Sequence, residues 1–176
     1  MEVRACDERV AHAWRVLGGV LDPEVPAVSV TELGIVRDVI AGAPGEGLEV
    51  VVTPTYSGCP ATEAIAQDIA EAIVQAGLGP VRVTQRRSPA WTTDWITPEG
   101  RAKLRAYGIA PPGACGDTAS PATGGASAPI RLVTRVPCPR CDSARTERLS
   151  AFGSTACKSL YRCISCREPF EYFKPF

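Results

Sequence analysis

The chain has 176 residues, of which 45% are hydrophobic and 22% charged, and its formal net charge is zero. These are the values of a soluble globular protein, with length for one sizeable core plus a small appendage or for two compact units. No run approaches the ~18 apolar residues of a membrane helix, and the acids and arginines in MEVRACDERVAHAWRVL do not fit a signal peptide.

The zero charge hides an asymmetry. Residues 1–130 hold 10 Lys/Arg against 15 Asp/Glu, a net of −5, whereas residues 131–176 hold 9 against 4, a net of +5. A basic tail fits nucleic-acid contact, but equally docking on an acidic partner or on the acidic part of the same chain. Eight cysteines without an export signal predict a cytoplasmic protein with reduced thiols, where Cys pairs bind metal more often than they form disulfides.

In chain order, Asp7 is expected to cap a helix with Val10, Trp14, Leu17 and Leu21 on one face. Gly18 and Gly19 weaken its end, and Pro23 and Pro26 of DPEVP stop it. IVRDVI and LEVVVT are β-branched runs joined by AGAPGEG, a predicted hairpin. ATEAIAQDIAEAIVQAG predicts an amphipathic helix: Ile65, Ile69 and Ile73 share a face and Gly77 stands at the C-terminal cap. VRVTQR predicts a third strand. TPEGRAKLRAYG predicts a last helix with Thr97 as cap, Pro98 in the first turn and Gly108 as stop. This α-β-β-α-β-α order predicts an α+β domain over 1–113, a small sheet with helices packed on one face. Residues 114–129 (ACGDTASPATGGASAP) contain no large apolar residue and read as a flexible linker.

The tail, 130–176, contains CPRC and CISC. Cys138/Cys141 and Cys163/Cys166 are two Cys-x-x-Cys pairs with 21 residues between them. Each such turn converges two sulfurs on one ion, and four thiolates suit tetrahedral zinc, so a structural Zn2+ ribbon is expected; a single iron or an iron–sulfur cluster would use the same ligand types. RLVTRV, SLYRC and PFEYF supply short strands for an all-β ribbon. With so little core, metal binding is expected to drive its folding. Cys157 reads as a small buried hydrophobe, or else as an alternative ligand or redox-sensitive thiol, and Cys115 as an exposed linker residue.

Cys59 stands apart, in SGCP ahead of the second helix. A helix N-terminus would stabilise a thiolate and lower its pKa; Gly58 would permit close approach and Pro60 would preset the first turn. The bland alternative is a small residue at a loop-to-helix junction. His12, the chain's only histidine, is expected on a helix surface rather than as a base for Cys59, which disfavours Cys-protease chemistry. One thiolate cannot hold a cluster alone; it needs a second copy of the chain in a homodimer, a small thiol, or a client's ligands. Asp22, Glu24 and Glu32 could act as acid and base or bind a hard metal, but are read as caps of the turns around the prolines. Gly34 is expected to meet a backbone requirement before the IVRDVI strand.

DPEVPAVSVTELGIVRDV, LEVVVTPTYSGCP and the helix after them resemble the MIP18 (DUF59) family of iron–sulfur assembly proteins, over most of residues 8–87. SPAWTTDWITPEGRAKLRAYGIAPP, CPRC, FGSTACKSLYRC and REPFEYFKPF resemble one subgroup, the D subunits of phenylacetyl-CoA epoxidase systems. The resemblance implies an accessory component of aerobic phenylacetate degradation, not the oxygenase: Glu-x-x-His pairs for a di-iron site are absent. It implies help with iron–sulfur cluster or iron insertion into the reductase or oxygenase subunits. Cys59 would be a transient iron or cluster ligand, and Asp22, Glu24 and Gly34 would mark the preceding motif. Two other readings remain at this point: a stable scaffold that joins oxygenase and reductase, and a zinc-ribbon nucleic-acid binder. The second would use Tyr161, Phe170, Tyr172 and Phe173 as stacking platforms, though they fit a core better and the larger domain lacks a basic stripe.

Overall fold

Alternating apolar strands and one long isoleucine stripe set the first unit of the chain. A computed structural model describes residues 2–43, 46–56, 58–113 and 136–175. The described residues divide into two units, one up to Leu104 and a second running from Arg105 to Pro175. The expected boundary at 113 thus falls later than this division, and the expected linker, with Cys115, lies outside the described residues.

Helix α1 spans Glu2–Leu17, so it begins before Asp7, which is not its cap. It buries Ala13 and Leu17 completely, while Trp14 and Leu21 are exposed. The expected stripe is therefore displaced: Leu21 lies past the helix, bridged to Ser29. Strands β1 (Val36–Ala41) and β2 (Leu48–Val52) pair antiparallel, from Ala41↔Leu48 to Val36↔Val52 with one bulge. Helix α2 (Thr62–Gln75) leads from β2 to β3 (Val81–Gln85), which runs parallel to β2, giving the order β1-β2-β3. Ile65, Ile69 and Ile73 are the buried positions of α2. α2 ends as its glycine predicts: Gly77 has φ +69, its N–H donates to Val74 O at 3.0 Å, and Leu78 N–H donates to Ile73 O at 3.2 Å. Together these satisfy the last carbonyls of the helix. α1 packs on α2 and β1, and α2 on β3. Helix α3 spans Pro98–Tyr107; the Thr97 hydroxyl accepts from Gly100 N–H at 3.0 Å, and Gly108 follows at φ +99.

The second unit contains β4 (Ile109–Ala110), β5 (Thr146–Ser150), β6 (Lys158–Cys163) and β7 (Pro169–Phe173), in the order β4-β7-β6-β5. β6 and β7 are the expected SLYRC and PFEYF strands; β4 and β5 were not foreseen. Of RLVTRV only Val136 is described, buried but outside any strand. Among the described residues, no helix is long and apolar enough to cross a membrane.

Candidate functional site

The loop between β2 and α2 carries Cys59. Thr53 N–H donates to Ile35 O at 2.8 Å, fixing the loop's start, and Cys59 N–H donates to Tyr56 O at 3.3 Å. The Cys59 carbonyl accepts from Thr62 N–H at 3.3 Å and from the Thr62 hydroxyl at 2.8 Å. Cys59 thereby opens α2 through its backbone, while Ala61 occupies the cap position with no side-chain bond. Its thiol is half-buried.

The expected lowered pKa is not found: the Cys59 thiol is pushed up. Burial is the largest cause, with the carboxylates of Glu24 and Asp22 adding to it; the Ala61 N–H and the Thr62 hydroxyl pull the other way. Helix-end stabilisation is present but outweighed. Gly58 is not the spacer expected either, since a Cβ there would meet the Tyr56 ring at an ordinary 3.8 Å.

The acidic motif works mainly as turn chemistry, as anticipated. Asp22 Oδ1 accepts from the N–H groups of Glu24 at 2.9 Å and Val25 at 2.8 Å. Glu32 Oε2 accepts from Ser29 N–H at 2.9 Å, and Glu32 Oε1 lies 2.6 Å from Lys103 Nζ. Gly34 has φ +67, and a Cβ there would stand 2.6 Å from Trp95 Cβ, so both conformation and space demand glycine. Folding also brings Asp22 and Glu24 within electrostatic reach of Cys59, a relation that no local spacing reveals. His12 is exposed.

The second cysteine arrangement is built by two matching knuckles. Cys138 N–H donates to Ser143 O and Cys163 N–H to Glu168 O, each at 3.0 Å. The residue after each pair, Asp142 (φ 58) and Arg167 (φ 65), takes the left-handed conformation that reverses the chain. All four sulfurs lie within 4.8 Å of one another, with Cys138 to Cys166 at 3.7 Å and Cys141 to Cys163 at 3.6 Å. A tetrahedral ion with sulfurs at about 2.3 Å requires sulfur–sulfur edges of about 3.8 Å, so the set fits one such ion. A cluster, whose ligands attach to different irons, spreads its sulfurs wider.

The Cys166 N–H aimed at its sulfur is the largest cause lowering the Cys163 thiol to about 6. Cys166 is raised to about 12: the Glu168 N–H lowers it, but burial and the three neighbouring thiols outweigh that. Cys157 is buried and outside the quartet, with the Thr155 hydroxyl 3.0 Å from its sulfur. The ribbon's buried cluster contains Ala110, Val136, Cys138, Cys163, Phe170 and Tyr172, with Tyr161 against it. Tyr161 packs on Phe170 and Tyr172 at centroid distances of 5.8 and 5.6 Å. Phe170, Tyr172 and Phe173 are thus core rather than stacking platforms.

The fold and these two arrangements define the class: an α+β domain of the iron–sulfur-assembly type, followed by a four-cysteine β ribbon. Residues 11–84 match the family described as "Iron-sulfur cluster assembly protein", and residues 123–174 match the "PaaD zinc beta ribbon domain". Over 166 residues, covering 94% of this chain and 93% of the relative, the sequence is 49% identical to the D subunit of the "Putative 1,2-phenylacetyl-CoA epoxidase" of Escherichia coli (strain K12). The crystal structure of a Domain of Unknown Function DUF59 from Bacillus anthracis matches with TM-score 0.54 and 22% identity, over 58% of this chain and 96% of that one. That likeness shows the fold alone. The chain belongs to the family of 1,2-phenylacetyl-CoA epoxidase D subunits.

Proposed function

We propose that the protein is a non-catalytic, cytoplasmic maturation factor of a phenylacetyl-CoA epoxidase system. Its cargo is iron or an iron–sulfur cluster, delivered to the reductase or oxygenase component through a transient bond to the Cys59 thiolate. Cys138, Cys141, Cys163 and Cys166 hold a resident Zn2+ that shapes the ribbon.

One observation carries this reading: a half-buried thiol, separate from the ribbon quartet, lies where Glu24 and Asp22 act on its charge. The carboxylates disfavour a bare thiolate, so the unloaded site keeps its proton. They favour a cation equally, and an arriving iron displaces the proton. Binding linked to proton release is readily reversed, as delivery requires. The four ribbon sulfurs, fixed near tetrahedral spacing, instead retain their ion. The remaining ligands for the cargo come from a second copy, a small thiol or the client.

The test is Cys59→Ser expressed in a strain lacking any other copy. The reductase and oxygenase should then carry as little iron as in the deletion strain, while the variant keeps its zinc. Full client iron would remove the Cys59 role and leave a scaffold.

A further inference from the structure

The strand-to-helix loop that ends at Cys59 also walls a pocket that the maturation role does not use. Residues 53–56, with Arg87, Ala90 and Trp91, line a half-open recess of about 430 Å³, within the range of small-molecule sites, about 300–1,000 Å³. The lining is mostly carbon. Trp91 is a fixed part of it: the side chain is buried and its Nε1–H donates to Leu33 O at 3.0 Å. Arg87 brings the lining's formal charge, and it is exposed.

That charge is not balanced locally. Among the described residues, Arg37, Arg86 and Arg87 are in no ion pair. Arg37 lies over the Trp95 ring at 3.5 Å; burial, and then the charge of Arg86, disfavour its protonated form. The charges of Arg37 and Arg86 thus act on one another, and Arg87 follows Arg86 in a stretch of net charge −5. A guanidinium fork at an apolar recess matches an anion with an apolar body, because the fork can bond a carboxylate bidentately while the apolar lining takes the carbon skeleton.

We propose that this pocket binds a small aryl carboxylate, its ring in the recess lined by residues 53–56 and Ala90 and its carboxylate on Arg87. The recess has the size of one small molecule and one charged group in its lining. An acidic protein segment would instead draw on charges strung along a groove. The proposal is independent of the Cys59 role.

The test is an NMR titration of the full-length protein with phenylacetate and benzoate, following the amides of Thr53, Thr55, Tyr56, Arg87 and Trp91. Comparison probes are benzyl alcohol (a ring without charge), inorganic phosphate (charge without a ring) and octaglutamate (an acidic segment). Saturable shifts at those amides are expected with the aryl carboxylates, with benzyl alcohol and phosphate at least about tenfold weaker. Arg87→Ala should weaken binding about tenfold or more, and Ala90→Trp, at an exposed position, should abolish it by filling the recess. Absence of saturable binding, phosphate binding as tightly as phenylacetate, preference for octaglutamate, or indifference to Arg87→Ala would each overturn the proposal. Running the titration on Cys59→Ser as well separates failure here from failure of the maturation role.

Discussion

Lys158 Nζ lies 3.1 Å from Glu171 Oε2, and only 2% of the lysine side chain reaches solvent. The pair links β6 to β7 inside the ribbon, and the Ser154 N–H also donates to Glu171. Burial raises the Glu171 carboxyl, but Ser154 and Lys158 outweigh it and hold it below its usual value. Removing the glutamate strands an ammonium with almost no access to water, whereas removing the lysine leaves a carboxylate that is 22% exposed and still accepts from the Ser154 N–H. Glu171→Gln should therefore destabilise the ribbon by about 3 kcal/mol and Lys158→Met by markedly less, read as shifts in urea midpoint by near-ultraviolet circular dichroism.

The raised Cys59 thiol predicts slow modification. Iodoacetamide labelling of the Cys59 peptide, followed by mass spectrometry, should lag behind a free thiol at pH 7 and accelerate only above the ordinary cysteine range, about 8.5. Asp22→Asn and Glu24→Gln each remove a negative charge that disfavours the thiolate. Both should move the profile to lower pH; labelling unchanged in both would show that the carboxylates do not act on the sulfur.

For the ribbon, Cys138→Ser or Cys163→Ser should lose one equivalent of zinc by elemental analysis. The amide dispersion of residues 136–175 should collapse with it, because the buried cluster is too small to hold those strands alone. Cys157→Ser should keep the zinc.

Two glycines with nearly the same backbone angle separate conformation from space. A Cβ added at Gly34 (φ +67) would stand 2.6 Å from Trp95 Cβ, whereas one added at Gly77 (φ +69) would have nothing within 4 Å. Gly77→Ala should cost about 1 kcal/mol, from conformation alone. Gly34→Ala should cost about 2–4 kcal/mol, since a close contact adds to the strain. Denaturant titration of each variant measures both.

Glu32 gives a pH signature. Burial pushes its carboxyl up, but Lys103 and the Ser29 N–H and hydroxyl outweigh it, so the folded pKa lies below the ordinary value. Its contribution is fully present above the unfolded value, about 4.3, and is lost as pH falls through the depressed folded value. Wild type should exceed Glu32→Gln by about 1 kcal/mol at pH 7, discounted because Lys103 is half-exposed. The gap should close in acid; a gap independent of pH would rule out the charge as its origin.

What could be read from the sequence was what local chemistry decides. The isoleucine period marked α2, and Thr97, Gly77 and Gly108 marked helix ends, because caps and left-handed turns depend on near neighbours. Strand β5 was missed since TERLS has no fully buried position, and β4 because its two residues are strands only through pairing with Glu171 and Tyr172. The convergence of the four ribbon sulfurs was legible from spacing; the direction of the Cys59 pKa shift was not. Its sign is set by burial and by carboxylates more than thirty positions upstream, and a helix-end argument contains neither.

The pairing of Ile109–Ala110 with Glu171–Tyr172 also bears on biosynthesis. During translation the amino-terminal α+β unit can fold as it emerges. The edge formed by Ile109 and Ala110 must wait, unpaired, until Glu171 and Tyr172 have been added about sixty residues later. The ribbon sheet thus closes only after β7 has emerged, and a nascent chain stalled before Glu171 would present an open strand edge.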